Sequence, residues 1–120
     1  MQQKTETFFQ IKKYGRTVVV SITGKLGMLE APEISDAIEK EMGSNVDEII
    51  IDCSSLFFID SSGVGKFISL VGLANKKNID FLLVGLSNSL ETVFKLARLN
   101  KIIKILNREE QFKKRGIPLK

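Results

Sequence analysis

The sequence predicts an α/β domain with a mixed sheet of four to five strands packed by about four helices. Three observations carry this expectation: a β-branched alternating segment at Thr17–Thr23, two continuous apolar runs at Ile49-Ile50-Ile51 and Phe81-Leu82-Leu83-Val84, and apolar stripes of helical period between and after them. Continuous apolar runs belong to strands covered on both faces, as in a parallel sheet wrapped by helices. Strands that alternate with helices build such a sheet. The length, 120 residues, suits one domain with a single core. That core is expected over residues 8–112, with residues 113–120 as a flexible tail.

The elements follow in order. Phe8 to Lys12 forms a short edge strand, Tyr14-Gly15-Arg16 a turn, and Thr17 to Thr23 a strand with Val18, Val20 and Ile22 on one face. The two strands make a hairpin. Gly24 to Leu29 is a loop. A helix over Pro32–Met42 has Pro32 in its first turn, Glu33 and Asp36 near its positive end, and a stripe of Ile34, Ala37, Ile38 and Met42. Gly43-Ser44-Asn45 ends it. Glu48 to Cys53 is the buried strand, and Ser54 to Ile59 connects it to a second helix over Ser62–Asn75 with Val64, Phe67, Ile68 and Val71 inward. Asp80 to Leu86 is the next strand. Ser87 to Ser89 offers caps for a third helix over Leu90–Leu99 that uses Leu90, Val93, Phe94 and Ala97. Ile102 to Leu106 is a last short strand. Asn107, with Glu110 three residues later, opens a final helix through Phe112; residues from Arg115 onward fray.

Composition removes several function classes. There is no histidine, so the commonest general base, the commonest metal ligand and every Ser-His or Cys-His pair are absent. Cys53 is the single cysteine; it forms no intrachain disulfide and reads as a small buried hydrophobe rather than a reactive thiol. No apolar stretch approaches the roughly 18 residues needed to cross a membrane. The polar segment Met1–Thr7 lacks a signal-peptide pattern, so the chain is expected in the cytoplasm. Residues 1–60 carry six basic and ten acidic side chains, whereas residues 61–120 carry twelve and four. This polarity can steer a charged partner. The basic groups are scattered and have no interleaved aromatics, which speaks against nucleic acid.

The chemistry concentrates at Asp60-Ser61-Ser62-Gly63-Val64-Gly65, where a buried strand leads into a helix. Ser61 is expected as the N-cap, its hydroxyl accepting from the amides of Gly63 or Val64. Two glycines in a first helical turn cost about 1 kcal/mol each relative to alanine, and positions without side chains would let a partner come close. A phosphate on Ser61 would add about −1.5 to −2 of charge at an end of the helix that tolerates anions. The plainer reading is that Ser61 and Asp60 are caps and the glycines turn residues. The order Gly-x-Ser-x-Gly of a nucleophile elbow is missing, as is the Gly-Lys-Ser/Thr of a phosphate loop.

The run from Ile49-Ile50-Ile51-Asp52 through Phe57-Phe58-Ile59-Asp60-Ser61-Ser62-Gly63-Val64-Gly65 resembles the signature of the STAS domain family of bacterial anti-sigma-factor antagonists. Val84-Gly85-Leu86-Ser87 with Leu90, Val93, Phe94, Leu96 and Leu99, and upstream Gly24-Lys25-Leu26 with Ala31, extend the resemblance over about Val18 to Phe112. The resemblance implies a STAS-like fold, a mixed sheet with helices mainly on one face. It implies that Ser61 is phosphorylated by an anti-sigma factor that is also an ATP-dependent serine kinase. The unmodified chain would bind that kinase and release the sigma factor, and a metal-dependent serine phosphatase would reset it. ATP and magnesium belong to those partners, so the chain needs no cofactor and is not itself an enzyme. Asp60, Ser62, Gly63, Val64, Gly65 and Phe57 would form the partner-binding surface of a monomer or weak dimer.

Two departures stand out. Gly27 occupies a position that is usually acidic in the family. Phe57 replaces a smaller or polar residue, and it either packs in the core or enlarges an apolar contact surface beside Ser61. Besides the phosphorylation-gated switch, the resemblance is compatible with an accessory or scaffold subunit of a larger complex, in which Ser61 is only a cap. A small-ligand or nucleotide-binding domain, or a minor enzyme, is disfavoured by the missing histidine and phosphate loop.

Overall fold

β1 (Phe8–Tyr14) and β2 (Thr17–Leu26) pair antiparallel, from Phe8 opposite Thr23 to Tyr14 opposite Thr17. Only Gly15 and Arg16 remain between them, and Gly15 takes the positive φ of 63° that a two-residue hairpin loop demands at its first position. In the computed structural model, which describes residues 7–119, β3 (Glu48–Ile59), β4 (Asp80–Val84) and β5 (Lys104–Leu106) continue the sheet in parallel, in the order β1-β2-β3-β4-β5. Residues 1–6, most of the polar N-terminal segment expected to lack a signal peptide, and Lys120, the end of the expected tail, lie outside the described residues.

The helices α1 (Ala31–Glu41), α2 (Ser61–Lys76), α3 (Asn88–Leu96) and α4 (Arg108–Arg115) follow β2, β3, β4 and β5. Because each helix leaves the C-terminal end of a parallel strand, all four begin at one pole of the domain. Acidic side chains gather in first turns (Glu33, Glu91, Glu109, Glu110) and basic ones in last turns (Lys40, Lys76, Lys95, Lys113, Lys114, Arg115). Each sign thus meets the helix end that favours it.

Alternation along the strands splits the core into two layers. Val18, Val20, Ile22, Ile49, Ile51 and Leu83 pack with the inner faces of α1, α2 and α3. Val19, Ile50, Leu82 and Val84 face the other way and are covered by Phe112 and Ile117. The helices therefore lie mainly on one face, as the resemblance implies, with α4 alone on the other.

Several boundaries and faces differ from expectation. β2 runs on through Gly24 to Leu26, and the supposed connector Ser54–Ile59 is strand paired to it. The expected inner residues Ile68, Val93 and Ala97 are exposed, while Leu70 and Ala74 face the core in α2. α3 is only 9 residues long and contributes little beyond Leu90 and Phe94. A 3-10 turn, Leu99–Lys101, follows it.

The tail is the largest correction. Arg115, where fraying was expected, is held by Glu48 at 2.6 Å, Ile117 is buried, and the carbonyl of Leu119 accepts from Arg108 at 2.6 Å. Arg108 also pairs with the buried Asp52 at 2.8 Å. The second apolar face of the sheet needs a cover, and the segment after Phe112 completes it.

Candidate functional site

α2 starts at the end of β3, at the pole shared by all the helix N-termini. The N-cap is Asp60, not Ser61: its backbone is extended, and its Oδ1 accepts from the amides of Ser62 at 2.9 Å and Gly63 at 3.1 Å. The amide of Val64 donates to the Asp60 carbonyl at 3.0 Å. A carboxylate at this position meets both the orphan amides and the positive end of the helix. Ser61 is thereby displaced into the first helical position. It is exposed, and its hydroxyl takes part in none of the hydrogen bonds formed among the described residues.

Asp60 also reaches across to the loop between β2 and α1, where its Oδ2 accepts from the amide of Met28 at 3.2 Å. Glu30 folds back on the same loop, its Oε1 accepting from the amide of Gly27 at 3.0 Å. A Cβ on Gly27 would stand 3.0 Å from Asp60 Oδ2 and 3.2 Å from Glu30 Oε1. The space of an acidic side chain at position 27 is thus already bordered by two carboxylates.

The two glycines of the first turn part company. Gly63 is buried, and a Cβ there would overlap the Leu26 carbonyl oxygen and lie 2.8 Å from Ile59 Cγ1. Its missing side chain allows α2 to sit against β2. Gly65 faces open space. Ser62 and Val64 are half-buried.

Phe57 is 60% exposed, which excludes the core alternative for it. The cause is a pair of register shifts. Ser21 pairs with Asp52 but Thr23 with Ser55, which turns Leu56 inward and Phe57 outward; Gly24 then pairs with Leu56 and Lys25 with Phe58, so Phe57 is a second extra residue on β3. Such a bulge breaks the inward-outward alternation, and Gly24 opposite it takes φ 106°. Leu56 and Ile59 then both point inward, while Phe57 and Phe58 (45% exposed) point out. Met28 and Leu29 are exposed at 70% and 86% on the neighbouring loop. A shallow cleft of about 220 Å³ lies between Met28, Leu29, Glu30, Phe58 and Asp60. Met28, Leu29, Glu30 and Phe58 were not legible as site residues, because nothing in their local sequence reveals the bulge or the loop contact.

Among the described residues no cluster of three or more potential metal ligands occurs. Cys53 is buried, with its thiol pushed up by desolvation and then by the Asp52 charge, which makes it inert. What the site offers is an exposed hydroxyl, two carboxylates and a ring of uncovered apolar side chains.

Comparisons with known proteins agree with this fold. The family model of the STAS domain matches residues 8–112. The anti-sigma-B factor antagonist of Listeria monocytogenes is 27% identical over 90 residues, covering 75% of this chain and 79% of the relative. The unphosphorylated form of the anti-sigma factor antagonist SpoIIAA has a TM-score of 0.76 at 27% identity, covering 92% of this chain and 99% of that one. An anti-sigma factor antagonist from Mycobacterium paratuberculosis has a TM-score of 0.81, covering 97% and 99%; at 18% identity it speaks for the fold alone.

Proposed function

The chain belongs to the STAS domain family, and on that premise we propose that it is an anti-sigma factor antagonist switched by phosphorylation of Ser61. The observation that carries the proposal is the placement of Ser61: exposed, first in α2, with its hydroxyl outside the cap hydrogen bonds that Asp60 already makes. A cap hydroxyl would have to leave its amides to react. This one is available without disturbing the helix.

The physical consequence is local. A phosphoryl group brings about −2 of charge at neutral pH next to Asp60, for a total near −3. The helix N-terminus tolerates that charge, so the interior keeps its packing. A partner seated on Phe57, Phe58, Met28 and Leu29 would have to desolvate the new dianion or meet it with cations. A surface that binds when neutral is thereby closed when modified. In this reading the partner is an anti-sigma factor with serine kinase activity, which brings ATP and magnesium. A metal-dependent serine phosphatase removes the group. The chain works without a cofactor and in the cytoplasm, as a regulator and not as an enzyme. Among the described residues no helix is long and apolar enough to cross a membrane.

Intact-mass analysis of the chain from its native cells, with the modified residue mapped, tests the proposal. Phosphate on Ser61 is expected. Ser61→Ala should bind the anti-sigma factor of those cells constitutively, and Ser61→Asp weakly. Equal binding by both variants, or no phosphate on Ser61 under any growth condition, overturns it.

A further inference from the structure

We infer that Glu30 is a positioning residue for the apolar docking loop beside Ser61, its carboxylate holding Met28 and Leu29 in the geometry that a kinase partner meets. The inference rests on the reading of Ser61 given above and extends it to a residue outside the Asp-Ser-Ser-Gly segment.

Glu30 directly precedes α1, at the position where a side chain ordinarily caps its own helix. It makes no such bond. Its Oε1 instead accepts from the amide of Gly27, three residues back, at 3.0 Å. The amide of Ala31 closes the same turn on the Gly27 carbonyl at 2.8 Å. Met28 is the next residue, and its amide is bound by Asp60 Oδ2 at 3.2 Å. Two carboxylates, from two different elements, thus hold consecutive amides of one short loop. A charged acceptor makes such bonds stronger than neutral ones.

Gly27 belongs to the same arrangement. A Cβ there would press on both carboxylates, at 3.0 Å and 3.2 Å. The absent side chain at position 27 leaves room for both anchors, Asp60 the nearer of the two. Between the anchors stand Met28 and Leu29, at 70% and 86% exposure. Fixing two apolar side chains in solvent gains no burial for the domain itself. It lowers the ordering cost for a partner that covers them. Glu30 lies beside Asp60 and not within the α2 cap, so its removal leaves Ser61 and its helix in place.

The test uses the full chain, ATP, and a soluble extract of the source cells as kinase, with transfer to Ser61 followed by intact mass at increasing chain concentration. Glu30→Ala should raise the apparent KM about tenfold, the loss expected for one charge-assisted hydrogen bond, while leaving the maximal rate within about twofold. Glu30→Gln, which keeps an acceptor oxygen, should stay within about threefold of wild type. Amide exchange by NMR should speed up at Gly27 and Met28 in Glu30→Ala and remain unchanged at Ser62 and Gly63. If wild-type chain takes up phosphate at Ser61 but Glu30→Ala shows an unchanged KM, or protected amides at Gly27 and Met28, this inference is wrong and the switch reading stands. If wild-type chain takes up none, the switch reading fails, and the inference fails with it.

Discussion

Asp60 binds Met28 across the site, Oδ2 to amide at 3.2 Å, while its other oxygen caps α2 through Ser62 and Gly63. One carboxylate therefore couples the helix that presents the phosphoacceptor to the loop that presents the apolar contacts. Loss of both connections at once is expected in Asp60→Ala. The cap alone is worth about 1 kcal/mol, within a range of roughly 0.5–2, so thermal melting should drop by several degrees. Asp60→Asn keeps an acceptor oxygen and should lose less. Equal melting of wild type and Asp60→Ala would contradict the coupling.

Gly63 and Gly65 are two residues apart in one helical turn, yet their alanine variants should move in opposite directions. At Gly65 a methyl enters open space, so the helix-propensity gain of up to about 1 kcal/mol should be realised. At Gly63 the same gain is outweighed by overlap with the Leu26 carbonyl and by Ile59, because overpacking against backbone costs about 1–3 kcal/mol. Denaturant midpoints of the two variants against wild type decide the matter.

Phe57 is exposed through a bulge and supports little of the core. Phe57→Ala should melt within about 1 kcal/mol of wild type, as surface substitutions do. Its affinity for the anti-sigma partner should fall by about tenfold or more, since an aromatic ring covered at an interface contributes of order 1–2 kcal/mol. Calorimetric titration measures the affinity. Unchanged binding would remove Phe57 from the contact surface.

Arg115 and Glu48 fasten α4 to the foot of β3, with side-chain exposures of 22% and 15%. The hydrogen bond from Arg115 holds the Glu48 carboxyl below its ordinary value of 4.5, against the opposing effect of burial. A group whose pKa is lower in the folded state stabilises the fold fully above its unfolded pKa. The advantage disappears as pH falls through the folded value. The stability difference between wild type and Arg115→Met should therefore be about 1–3 kcal/mol near neutral pH and shrink below about pH 4.5. A pH series of urea melts reads this directly. A difference that grows on acidification would reverse the assigned sign.

The architecture, and the strand-to-helix junction that carries the candidate site, are legible in the amino-acid order alone. Ile49-Ile50-Ile51 and Phe81-Leu82-Leu83-Val84 are apolar on both faces, which only a strand sandwiched between layers can satisfy, and the Asp60-Ser61-Ser62-Gly63 segment sits where such a strand meets a helix. These features are written in local periodicity and turn chemistry, so they need no knowledge of distant neighbours. Tertiary structure decided the rest. Whether Asp60 or Ser61 caps α2 depends on where the extended backbone of β3 gives way to helix, and Asp60 is still extended, its amide donating to the Leu26 carbonyl at 3.4 Å. Whether Phe57 is core or surface depends on two extra residues in the register between β2 and β3. Whether Gly63 serves a partner or the interior depends on how close α2 approaches Leu26. Residues 113–119 are held because Glu48 and a second apolar sheet face await them, neither near them in sequence. Each of these outcomes is set by contacts between residues far apart along the chain, and such contacts leave no periodic trace in either partner alone.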